Sequence, residues 1–115
     1  MTVAITTQVT EQTLSVIESY KAVTMSDDDA RDFATDLLEQ AIVDIEANPL
    51  QYPFEQNALA NGVKLRRWLD PTGKYICLFR YNQQTDEAIL DIFASTRQDW
   101  LSLLYRSEER RVGKE

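Results

Sequence analysis

The chain has 115 residues, 43% of them hydrophobic and 27% charged, a length and composition that suit one folded domain with its own core. It carries 19 acidic and 12 basic residues for a net charge of −7, with no histidine and one cysteine, Cys77. Histidine-based metal sites, Ser-His-Asp triads, an internal disulfide and a multi-cysteine zinc site are therefore excluded. No run approaches the roughly 18 apolar residues of a membrane span, and the opening MTVAITTQV has neither a basic start nor a long apolar stretch. A soluble cytoplasmic protein with no membrane contact is expected.

The charge is divided along the chain. Residues 1–56 hold eleven acidic and two basic residues, residues 57–106 hold seven basic and five acidic ones, and the last nine hold three of each. Two readings are open: solvated acidic helix faces with ordinary strand-edge and surface basics after them, or a second half that forms a functional surface for a polyanion or an acidic protein with the acidic helices behind it.

In chain order, Val3 to Val9 alternates β-branched and polar side chains as a short strand, with Thr10 and Glu11 opening a helix. Leu14, Ile17, Tyr20 and Val23 recur every third residue as a stripe for burial, leaving Glu18 and Lys21 outside. Ser26 before Asp27, Asp28 and Asp29 caps a second helix and places three carboxylates at its positive end. Ala30, Phe33, Ala34, Leu37, Leu38, Ala41, Ile42 and Ile45 then follow the helical repeat until Asn48-Pro49 stops it. From Pro49 to Asn61 an ordered crossing loop is expected, anchored by Tyr52 and Phe54.

The period then falls to two. Val63–Trp68, Tyr75–Tyr81 and Ala88–Phe93 read as strands, separated by Asp70-Pro71-Thr72-Gly73 and by residues 82–86, both of hairpin length. An antiparallel meander follows. Its middle strand is apolar on both faces, as a central strand should be, with Arg80 the polar exception. Thr96 to Asp99 starts a short last helix carrying Trp100, Leu101, Leu103, Leu104 and Tyr105. The domain is expected over residues 1–106, and 107–115 reads as a flexible charged tail of a kind that also recurs as an assembly artefact.

This order resembles the RelE/ParE superfamily of type II toxin-antitoxin (plasmid stabilisation) toxins. The resemblance rests on Ile42–Leu50, on Lys64-Leu65-Arg66-Arg67, on Gly73–Tyr81 and on Ile89–Leu104. It implies an α+β fold of order β-α-α-β-β-β with a short C-terminal helix, a mainly antiparallel sheet and two helices packed on one face. It further implies a bacterial toxin neutralised by a cognate antitoxin, using no cofactor and no metal, and acting on one of two targets.

In RelE-type members the target is ribosome-bound mRNA. The ribose 2′-hydroxyl attacks the neighbouring phosphate, so an mRNA interferase needs cations for the phosphorane-like transition state together with a base and an acid. The resemblance carries these catalytic roles to Lys64, Arg66, Arg97 and Tyr105. Tyr75 and Ser95 stand where RelE-type enzymes have arginine and histidine. In ParE-type members the target is DNA gyrase, and a gyrase inhibitor needs a binding surface, for which Arg67, Arg80, Trp68 and Trp100 are the candidates. A degenerate non-toxic member, acting only as a protein-binding domain, is the alternative.

Overall fold

The computed structural model describes residues 1–97. Among them the protein is an α+β fold. Strand β1 (Val3–Thr6) leads into helices α1 (Gln8–Lys21) and α2 (Asp27–Ala47), a 3₁₀ turn (Pro49–Gln51), a short helix α3 (Gln56–Ala60), and strands β2 (Arg66–Leu69), β3 (Tyr75–Asn82) and β4 (Glu87–Ser95). The sheet order is β1-β4-β3-β2. The meander β2-β3-β4 is antiparallel as expected, but β1 runs parallel to β4, so the sheet is mixed. None of the described helices is long and apolar enough to cross a membrane. The expected last helix lies outside the described residues.

Helix α2 forms where its repeat places it. Ser26 accepts a hydrogen bond from Asp29 N at 3.1 Å, and Ala30, Ala34, Leu37, Ala41 and Ile45 are buried. Of these, Leu37, Ala41 and Ile45 join Leu14 and Ile17 of α1 over one face of the sheet, against Trp68, Cys77, Phe79, Leu90 and Phe93. The other face holds a second cluster of Leu65, Ile76, Leu78, Ile92 and Ala94 with Ala58 of α3. Middle strand β3 is thus buried on both faces. The segment expected as a plain crossing loop contains α3, capped by Glu55, whose side chain accepts from Asn57 N.

Helix α1 departs from the reading. It starts at Gln8, because Thr7 and Thr10 form a reciprocal capping box that ends β1 at Thr6. Its buried line is Thr10, Leu14 and Ile17, with Lys21 half-buried, whereas Tyr20 and Val23 are 74% and 81% exposed. A step of three residues falls short of the helical period and drifts off the buried face, while steps of four and three stay on it. Lys21 therefore points inward, its ammonium 4.6 Å from the Phe33 ring centre and 5.7 Å from that of Tyr75.

Strand β4 carries a bulge. Leu78 pairs with Ile92 but Phe79 pairs with Leu90, so Asp91 is the extra residue. The side-chain phase shifts there, and Leu90 and Phe93 both enter the helix-side core while Ile92 and Ala94 enter the other. Where β1 stops pairing, threonines of α1 and its N-cap take over. Thr7 Oγ1 and Thr10 Oγ1 donate to Leu90 O, at 3.1 Å and 2.5 Å, and Thr13 Oγ1 accepts from Phe93 N at 3.0 Å. Thr10→Val keeps the shape and removes a donor from a wholly buried site, so it is expected to cost about 1–3 kcal/mol in urea denaturation.

Asp86 joins the chain start to the β3-β4 turn. Its carboxylate accepts from Thr2 Oγ1 at 2.6 Å and from the Tyr81 hydroxyl at 2.7 Å, and it pairs with the Met1 amine at 3.2 Å. The bond from Thr2, then that from Tyr81, then the amine hold its carboxyl at about 2. A depressed folded value favours the native state above the ordinary carboxylate range, and that contribution is lost as pH falls through about 2. Asp86 has φ +55°, which asparagine also adopts. Thermal melting of Asp86→Asn is expected to fall less steeply than wild type between about pH 4 and pH 2.

Candidate functional site

Three cationic residues of the second half of the chain, Lys64, Arg66 and Arg67, lie on β2 and the segment before it. Lys64 is exposed and precedes the strand, since pairing begins at Arg66. Arg66 is half-buried and held by local contacts. Its Nη1 donates to Tyr52 O at 2.7 Å, and its guanidinium lies 4.3 Å from the centre of the Phe54 ring. The crossing segment closes the outer edge of β2 around it, with Arg67 N donating to Pro53 O and Glu55 N to Leu65 O. Arg67 Nε stands 3.8 Å from Glu55 Oε2.

Trp68 corrects the expectation of a surface anchor. It is wholly buried, its Nε1 donates to Asp44 Oδ2 at 2.9 Å, and its ring meets Phe93 edge-on at 6.4 Å. Alternation explains this: in a strand whose one face meets the helices, the residue after exposed Arg67 must point into the core. Arg80 projects from β3 and grips Asp91, the bulge residue, through Nε at 2.8 Å and Nη2 at 3.2 Å. Tyr105 and Trp100 lie outside the described residues.

Arg97 is exposed just beyond β4, with its backbone N–H on Ser95 Oγ at 3.2 Å. The register places it far from Arg66. Ser95 pairs with Tyr75, and Arg66 pairs with Phe79, four residues or about 13 Å along β3. Arg97 continues past Ser95 away from that point. The sheet therefore separates Lys64 and Arg66 from Arg97. Tyr75 packs edge-on to Phe33 at 5.4 Å, and burial followed by the Asp91 charge pushes the Cys77 thiol well above its ordinary range, which leaves it inert. Among the described residues no three Cys, Asp or Glu side chains cluster closely enough to hold a metal ion.

The feature that sequence reasoning missed lies on α1 and the turn that follows it. Ser15, Val16, Ser19, Tyr20 and Val23 line an open, mostly apolar groove of about 370 Å³. Val16 and Tyr20 stand four residues apart on α1, Val23 follows in the turn after it, and all three are exposed. The signal was present in Val16 and Tyr20, about a quarter to a third of a turn round α1 from Thr10, Leu14 and Ile17, and was masked because threonine does not register as a core residue.

No family model matches the sequence, and no curated protein matches it.

Arg66 and Lys64 should separate experimentally. Arg66→Ala removes a charged hydrogen bond and a ring contact and is expected to cost about 1–3 kcal/mol in chemical denaturation. Lys64→Ala should stay within about 0.5 kcal/mol of wild type.

Proposed function

We propose that the chain is a toxin-like protein of the RelE/ParE type that inhibits growth by binding a protein target, DNA gyrase in the ParE manner, and is neutralised by an antitoxin. The observation that carries this choice is the separation of the cations. A phosphorane-like transition state needs positive groups converging within a few ångströms of one phosphate. Arg66 is engaged with Tyr52 O and Phe54, and Arg97 lies towards the other end of the sheet.

Further support comes from exposed apolar surface on the helices and the turn between them. Val16, Tyr20, Val23 and Val43 are 44%, 74%, 81% and 64% exposed, which suits a protein that works and is silenced by protein contact. Acidity fits this mode better than RNA cleavage, since a net charge of −7 opposes binding to a ribosome. The same acidity favours a second reading, a non-toxic member that serves only as a protein-binding domain.

Pulse-labelling after induction of the full chain without an antitoxin distinguishes them. Thymidine incorporation is expected to fall before amino-acid incorporation, and Arg97→Ala should still inhibit growth. An earlier fall in protein synthesis that Arg97→Ala abolishes would assign the chain to mRNA cleavage instead. No fall in either label would favour the non-toxic reading.

A further inference from the structure

The outer edge of the sheet at β1 is closed by one carboxylate. Val3 N donates towards β4, to Asp86 O at 3.1 Å, so the alternation of a ladder turns the N–H of Ala4 outward. There Glu46 Oε2, in the last turn of α2, accepts it at 2.9 Å. Apart from that contact the edge is suited to pairing. Val3 and Ile5 are β-branched, lie on the same face, and are 53% and 37% exposed.

The edge is also self-complementary. Two copies of Val3–Thr6 can run antiparallel about a two-fold axis at Ala4, where each Ala4 gives its N–H to the other's carbonyl. Val3 of one copy then stands opposite Ile5 of the other, an apolar cross-strand pair. The strand has no charged side chain, so the net charge of −7 sets no like charges across this seam.

We infer that Glu46 guards this edge, and that withdrawing its carboxylate from Ala4 allows two copies of the chain to join through β1 into one continuous sheet. Such guarding is how many proteins keep an apolar edge strand from pairing. The guard is independent of which target the protein acts on. A ladder of four residues buries much less than the roughly 1,200 Å² of a stable complex, so the association is weak and is seen at high concentration.

Sedimentation of the full chain over a concentration series, up to about 1 mM, tests this. Glu46→Ala is expected to self-associate at least about tenfold more tightly than wild type. Glu46→Gln retains an acceptor oxygen and should behave as wild type. Adding Ala4→Pro to Glu46→Ala should abolish the association, because proline has no N–H and is tolerated at an edge. In dilute solution, hydrogen exchange at the Ala4 amide should be faster in Glu46→Ala than in wild type. Circular dichroism verifies folding, and Glu46→Lys gives the same readouts if the alanine variant does not fold. Equal association of Glu46→Ala and wild type, association indifferent to Ala4→Pro, or unchanged exchange at Ala4 would each overturn the guard.

Discussion

The edge of β4 between Leu90 and Phe93 is where the fold is decided. A bulge at Asp91 interrupts pairing at the point where β1 ends, which would leave Leu90 O and Phe93 N without ladder partners in a buried place. Unpaired backbone groups there are costly, and the hydroxyls of Thr7, Thr10 and Thr13 remove that cost. The same bonds set how α1 lies on the sheet. Leu14 and Ile17 follow Thr10 into the helix-side core, and that geometry leaves Val16, Tyr20 and Val23 in solvent.

The bulge also allows one strand to serve two cores. Strict alternation would send Leu90 and Ile92 to the same face, whereas the extra residue lets Leu90 and Phe93 pack on Trp68 and Phe79 while Ile92 packs with Ile76 and Leu78. Arg80 bridges the irregularity from outside by its fork on Asp91. Exposed pairs of this kind add little stability, so the fork orients Asp91 more than it holds the sheet.

Much of this architecture was legible in the residues. Helix α2 was readable because an unbroken repeat, a serine cap and a following Asn-Pro agree, and the meander because the period changes and two turn-rich separators flank an all-apolar strand. Three features were not readable, for physical reasons. Thr10 is a polar core residue whose burial depends on a partner 80 residues away. The bulge leaves no local mark, since Asp91 looks like the outward residue of a regular strand. The parallel placement of β1 depends on a long-range pairing that no turn signals. The candidate site was read less well for a related reason. Residue type identified the cations, but their usefulness depends on register across three strands. A buried tryptophan and an exposed one also look alike in sequence until the alternation of β2 is known.

Pairing between β1 and β4 joins residues 84 positions apart. During synthesis, the first strand therefore emerges long before its neighbour exists, and the two helices form with their sheet-side residues uncovered. The sheet can close only when Leu90 has left the ribosome. Until then Val3 and Ile5 belong to an unpaired apolar segment whose partner strand has yet to be made.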